Sequence, residues 1–537
     1  MTGDATVLPI SRKTNLILAL PFLFYCMAVL TPIAAQQRFQ RVSIDTFMQD
    51  PAKVRALREG VAKMKARNDA PKDSADYRTS WEYWAAIHGY FGTGPKSSGT
   101  IQRWKTNPRN GIPPSLWPRF DGIRELTPPS SPPGLAEKVW GTCEHGTDAF
   151  FPWHRAYLYF FERVLRKASG DANFALPYWD YTSADAAKRI LPAIFRDAEN
   201  GANPLFDARR ATGVSSNPLS AIRTNPDGLL REANFISYQE QLESGLHGNI
   251  HCDVATRCPV AILGAVPVAA LDPVFWLHHA NIDRLWDCWA KKFGTASYPA
   301  PGSAWRRQTY SFVDENGNPA TMSVAQMLDP AGPVDYTYDN TTACTRQPQP
   351  PVAVAMNERT RGLRAGTVVT RQTPVAENVQ LRKLREPVDV RLNDFGREPR
   401  ERARGLRVSP SEEAEVTLKL EGVTFASVPP AGIDVFLTST DGTKRVAVGS
   451  LSFFAGDTSE HASHRGAGNQ AETGKTFAFN VTEALTELAA GRDTLDTLKV
   501  EFEPAPAFES DPAVDETEYA SAQVKIGKIS FTETTQE

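Results

Sequence analysis

Residues 245–251 read GLHGNIH and residues 272–286 read DPVFWLHHANIDRLW, and the pattern of histidines in these two stretches decides how the chain is read. His247 and His251 stand four apart, a spacing that puts both imidazoles on one helical face. In the second stretch Phe275, Trp276, Leu285 and Trp286 mark a separate apolar helix that brings a third imidazole. His278 and His279 are adjacent and cannot both point inward from one helix, and periodicity does not say which one does. An H-x-x-x-H pair arises readily on any helix, so its meaning comes from the rest of the chain. The chain has nine histidines, and upstream of these stretches stand His88 in WEYWAAIHGYFG, His145 in GTCEHGTDAFF and His154 in FPWHRAYLYFFERVL. That distribution reads as two triads. Three imidazoles per ion suit copper, zinc or iron, whereas magnesium and calcium want oxygen ligands. Two triads in one domain suggest a binuclear site, with metals roughly 3.5–4 Å apart sharing one small bridging molecule.

Taken together, PWHRAYLYFFE, LPYWDY, HGNIH and DPVFWLHHANIDRLW resemble the type-3 copper proteins: tyrosinases, catechol oxidases (polyphenol oxidases) and molluscan haemocyanin units. The resemblance spans about residues 40 to 340 and implies a cofactor of two copper ions. His88, His145 and His154 match the ligands of the first copper, and His247, His251 and His279 those of the second, which leaves His278 as a neighbour. Cys143, two before His145, resembles the cysteine of a Cys-His thioether; its plainer reading is a buried thiol. Phe275 matches a gate residue over the second copper, or else is ordinary core. Glu243 resembles the acidic residue that holds an ordered water, or else is a surface charge. Asn281 and Asp283 are candidates to orient the ligands from behind.

The resemblance implies oxidation of o-diphenols to o-quinones by dioxygen. Monophenol hydroxylation is associated with an asparagine just after the first ligand of the second copper; here that position is Gly248, and Asn249 comes one residue late. This departure favours diphenol oxidation, with Glu243 the remaining candidate base for monophenols. Two other functions share the ligand set: a haemocyanin-like dioxygen-binding protein and an o-aminophenol oxidase. Carriers use many tandem units, so the single unit here favours the enzyme.

Apolar residues recur at helical spacing around His88, His154, His247 and His279, so the expected fold is a mainly α catalytic domain, a four-helix bundle around the binuclear copper site. YTYD at 336–339 resembles the tyrosine motif that ends this domain in the family. Beyond it, 345–410 contain QPQPP and FGREPRERARGLR and read as a protease-accessible linker. Residues 411–537 alternate apolar and polar in VTLKLEGVTF, GIDVFLTST, TLKVEFEP and AQVKIGKISF, the rhythm of an all-β sandwich. That segment resembles the C-terminal domain of plant polyphenol oxidases, which implies a shield over the copper site, removed by an activating protease. Phe453 or Phe454 is the candidate plug, and His461 and His464 are two loop histidines with copper-delivery potential.

The expected domains are thus 1–35, 36–344, 345–410 and 411–537. Residues 1–35 carry Arg12 and Lys13, then LILALPFLFYCMAVL, then TPIAA, the layout of a signal peptide cut after Ala35. The expected location is secreted or periplasmic, with no stable membrane association after cleavage. A formal charge of −3 over 537 residues gives no bias toward nucleic acid. The expected partners are dioxygen and small phenols. With Cys143 spent on His145, four mature cysteines allow three pairings, of which the shortest loops join Cys252 to Cys258 and Cys288 to Cys344.

Overall fold

The computed structural model describes residues 39–93, 99–129, 134–328, 333–340, 368–391 (except 382, 383 and 385), 406–407, 414–454, 474–489, 494–495, 497–508 and 516–536. Arg38–Glu537 form one compact unit. The expected signal segment, most of the arginine-dense stretch, Cys344, His461 and His464 lie outside the described residues. No described helix is long and apolar enough to cross a membrane.

In the first part of the unit, strand β1 (Phe39–Arg41) precedes helices α1 (Pro51–Ala66), α2 (Trp81–His88) and α3 (Phe150–Ser169). Next come α4 (Phe235–Leu242), a five-residue π turn (Glu243–His247), α5 (Gly248–Val254) and α6 (Pro273–Phe293). Local chemistry sets their ends. Ser80 accepts from the Tyr83 N–H to cap α2, and Gly170, in the left-handed region, stops α3. Asp272 caps α6 through the Val274 N–H while Pro273 takes the first helical position, as an Asp-Pro start requires. Asp272 also pairs with the buried Arg210 at 2.7 Å, which ties that helix start to the 205–210 loop. Strand β2 (Tyr336–Tyr338) runs parallel to β1, joining the two ends of the domain.

Behind that join lies a buried charge cluster. Asp283 accepts from Arg155 at 2.6 Å, Arg41 at 3.3 Å, Tyr338 at 2.7 Å and the Tyr336 hydroxyl. Burial acts to raise its pKa, but Arg155 and Arg41 outweigh it and hold the carboxylate below its ordinary value. Asp283 therefore locks the domain's closing strand to α3 and α6. Asn281 accepts from Arg284 at 2.9 Å. Neither residue has a hydrogen bond to a ligand histidine among the contacts described.

The second part holds β3 (Val368–Gln380), β4 (Val388–Arg391), β5 (Ala414–Val423), β6 (Gly432–Ser439), β7 (Arg445–Leu451), β8 (Lys475–Asn480), β9 (Thr497–Ala505) and β10 (Lys525–Gln536). They form two four-stranded antiparallel sheets, ordered β7-β6-β9-β4 and β8-β5-β10-β3. Leu418 and Phe531 from one sheet share a core with Val435 and Phe502 from the other, the arrangement of a sandwich. Two findings correct the expectation. Helices α7 (Thr482–Ala489) and α8 (Glu516–Ala522) belong to this part, so it is not all-β. Strands β3 and β4 fall inside the stretch read as linker. Among the described residues both are edge strands, where polar residues such as Gln372, Glu377 and Asp389 hide the alternation that marks a buried strand.

Candidate metal centre

Five of the six expected ligands sit on helices. His88 ends α2, His154 lies one turn into α3, His247 closes the π turn, His251 is on α5 and His279 is on α6; His145 comes from the loop before α3. His88, His154, His247, His251 and His279 are at most 2% exposed. The structure brings these six residues into two adjoining groups. His88, Cys143, His145 and His154 form one, and His247, His251, His278 and His279 the other, each with its ligand atoms within 4.8 Å of one another. The rings of His154 and His279 stack across the boundary at 4.5 Å and 9°.

Backbone carbonyls fix the ring orientations. The Nδ1 atoms of His88, His154, His247 and His251 lie 3.1, 2.8, 3.2 and 2.8 Å from the carbonyl oxygens of Val266, Phe150, Glu243 and Leu263. A proton held there on Nδ1 leaves the Nε2 lone pair turned inward. The result is visible in the second group, where His251 Nε2 stands 3.1 Å from His247 Nε2 and 3.3 Å from His279 Nε2. Three ring nitrogens each about 2 Å from one ion would stand roughly 3.3–3.5 Å apart, so the spacing fits a metal. Burial, reinforced by neighbouring imidazoles, holds His247, His251 and His279 well below the ordinary histidine pKa. Burial takes His154 down to about 3, despite its bond to the Phe150 carbonyl. All four rings are therefore neutral, the form a metal needs. A nitrogen-only donor set of this kind fits copper.

The neighbours fall as follows. Cys143 Sγ lies 3.5 and 3.8 Å from the two ring nitrogens of His145 and 3.3 Å from His154 Nε2. Glu243 Oε1 accepts the Gly146 N–H at 2.6 Å, linking the His145 loop to the His247 turn. Burial raises its carboxyl to about 8, with the Gly146 bond and Lys475 acting the other way. Phe275 is fully buried, edge-on to His88 at 4.9 Å and tilted against His279 at 4.2 Å. His278 bonds the Tyr181 hydroxyl through Nδ1 at 2.8 Å. Cys252 and Cys258 form a disulfide one residue beyond His251, and Cys288 is disulfide-bonded too.

The sandwich adds one of the two phenylalanines singled out in the sequence and, beside it, Lys475, which no motif marked. Phe454 stacks on His251 at 3.9 Å and 5°, and meets His247 and His145 edge-on at 5.4 and 5.9 Å. Lys475 donates to the Phe454 carbonyl at 2.7 Å. Phe453 turns away to pack on Phe425. Of the two phenylalanines singled out in the sequence, Phe454 is the one set against the histidines.

Comparison with known proteins agrees with this geometry. The common central domain of tyrosinase matches residues 78–240 and 208–292, and a domain of unknown function (DUF7868) matches 373–534. Tyrosinase HcTyr1 of Hahella sp. (strain CCB-MM4) is 27% identical over 489 residues, covering 84% of this chain and 92% of that protein. The chloroplastic latent form of polyphenol oxidase from Prunus armeniaca is 26% identical, covering 65% of this chain and 61% of its own. Two solved structures share the fold. A latent aurone synthase (polyphenol oxidase) has a TM-score of 0.58 at 19% identity, covering 94% of this chain and 91% of its own. Latent apple tyrosinase has a TM-score of 0.54 at 18% identity, covering 94% and 98%. The chain belongs to the tyrosinase and polyphenol oxidase family of type-3 copper proteins, oxidoreductases that act on phenols.

Proposed function

We propose that this protein oxidises o-diphenols to o-quinones with dioxygen and is made in a latent form closed by its C-terminal sandwich. The observation that carries the proposal is the Phe454 ring lying flat on His251. An aromatic ring of the chain's own thus occupies a face of His251 on which a flat phenolic ring would stack beside the converging Nε2 atoms. Copper held by His88, His145 and His154, and by His247, His251 and His279, supplies the redox couple between substrate and oxygen. In balance, two diphenols give up four electrons and four protons as one dioxygen becomes two waters.

The chain's own residues do the rest. Four ligand-bearing helical segments, taken as one bundle, hold the imidazoles rigid, and Phe275 keeps water from the space between the triads. A thioether from Cys143 to His145 would fix the one ligand that comes from a loop. Glu243 is the acid or base that exchanges protons with the phenol hydroxyl. With no side chain at Gly248 to orient that proton transfer, diphenols are the main substrates. Signal removal after Ala35 and export to a secreted or periplasmic location, followed by protease cutting between the two parts, complete the scheme.

To test it, copper-loaded protein is nicked with trypsin and the oxidation of catechol and of tyrosine is followed separately. Catechol turnover that rises on nicking supports the proposal. Reversible oxygen binding without turnover points to a carrier and refutes it. For the thioether, the reduced and denatured chain is expected to weigh two hydrogens less than its sequence, and Cys143→Ser to abolish the deficit.

A further inference from the structure

Gly248 has ordinary helical torsions, φ −66° and ψ −31°. Its backbone therefore does not require glycine, and glycine is a poorer helix former than alanine. The missing side chain has a different cause. A Cβ at this position would lie 2.3 Å from Ser452 Oγ, 2.9 Å from Ser452 Cβ and 3.2 Å from Phe454 Cβ, so all three nearest atoms belong to the sandwich. Ser452 is 1% exposed, accepts the Phe454 N–H at 3.3 Å and lies 3.8 Å from the sulfur of Cys252, one turn along from Gly248. Rotating the serine hydroxyl relieves only the first clash. The two Cβ atoms move only with the backbone of the segment that follows β7, and Lys475 holds that segment at the Phe454 carbonyl.

We infer that Gly248 is a docking notch for the shield: the size of residue 248 sets how firmly the 450–454 segment seats, and any side chain there lifts Phe454 out of the site. The inference rests on the latency proposed above and deepens it. A bulkier residue at 248, asparagine included, and a seated Phe454 exclude one another. One position therefore governs both closure of the site and the surroundings of the incoming phenol.

Amide deuterium exchange of segment 450–454 in the uncut, metal-free full chain tests this without recourse to activity. Gly248→Ala should speed exchange there by at least about tenfold, with the melting transition retained because alanine favours the helix. Ser452→Gly removes both clashing serine atoms. In that background, adding Gly248→Ala should change exchange by less than about threefold, since the two positions are coupled. Unchanged exchange in Gly248→Ala overturns the notch, and if nicking still activates the parent chain, latency survives that failure. Faster exchange in Gly248→Ala, together with catechol turnover by its uncut, copper-loaded form no higher than the parent's, supports the notch and overturns latency instead.

Discussion

Truncating Phe454 to alanine separates the plug from the rest of the shield. The side chain is 4% exposed and its ring contacts His145, His247 and His251. Removing a buried phenylalanine costs about 3–5 kcal/mol in a core that cannot collapse. The lower figure applies here, because the space left is lined by imidazoles and water can enter it. A loss of about 3 kcal/mol from the docked state raises the undocked population by roughly 100-fold. The variant also leaves substrate a path while the shield is docked, so both effects act in the same direction. The assay is the initial rate of quinone formation from a catechol by copper-loaded chain, uncut and nicked. The ratio of uncut to nicked rate should rise by up to about 100-fold, and the nicked rate should stay at the parent value. Phe454→Leu keeps apolar bulk without the flat ring and should fall between. An uncut Phe454→Ala chain as inactive as the parent, beside a fully active nicked one, would refute the role given to this ring.

Three further outcomes are expected. His279→Ala and His88→Ala should each lower copper from two ions to one per chain by elemental analysis of the folded protein; retention of both ions in either variant contradicts the division into triads. Asp283→Asn leaves Arg41 and Arg155 buried around a neutral group, a break that costs about 3–5 kcal/mol. Thermal unfolding of the metal-free chain measures it, and a loss under about 1 kcal/mol shows the cluster to be dispensable. Asp434 makes docking pH-dependent. It is buried, faces Arg223, Ser450, Glu503, Arg445 and Tyr519, and is raised from 3.8 to about 6, chiefly by burial. The docked state therefore binds the proton more tightly, so this contribution is full below 3.8 and is lost as pH rises through about 6, with an upper limit of roughly 3 kcal/mol. Deuterium exchange of 450–454 should speed up across that window, and Asp434→Asn should flatten the rise; an identical slope in the variant rejects the assignment.

The helical part was more legible in the sequence than the shield, for physical reasons. A metal site needs particular side chains at helical spacing, so the imidazoles announce themselves in the sequence. The groups that orient those imidazoles do not. The Leu263 and Val266 carbonyls that accept from His251 and His88 belong to the backbone, and any residue supplies one. Asp283 looked like a partner for the copper ligands because it lies one turn beyond His279, yet its charge is taken up by two arginines from distant segments. In the sandwich, β6 with its IDVFL run was plain, whereas β3 and β4 were lost because an edge strand buries only part of its surface. Helix α7 was missed because VTEALTELA sits among strands, although Ala484, Leu485 and Leu488 already follow helical spacing.

On the proposed latency, the seam between the two parts has to hold the site closed and still let it open. Their apolar cores are separate clusters: Phe508 of the sandwich joins the helical core, while Cys252, Cys258 and Val266 of the helical part join the sandwich core. Few large apolar residues cross, so much of the docking rests on polar contacts, and these are arranged unequally. Arg223 grips Asp253 within the helical part through two bonds of 2.7 Å and offers one further N–H to Ser450 at 2.9 Å. When the shield leaves, Arg223 keeps its carboxylate partner Asp253, whereas Arg231 and Arg257 give up Glu483 and Glu518. Asp434 loses the charge of Arg223 and keeps that of Arg445 within the sandwich. The helical part also gives up the Ser450 contact, a stacked phenyl ring, cover over one disulfide, and the backbone bonds that join Ser220 to Ala507 and Arg109 to Val428. A latent chain with an intact copper pocket needs this seam to part at less cost than the unfolding of either side.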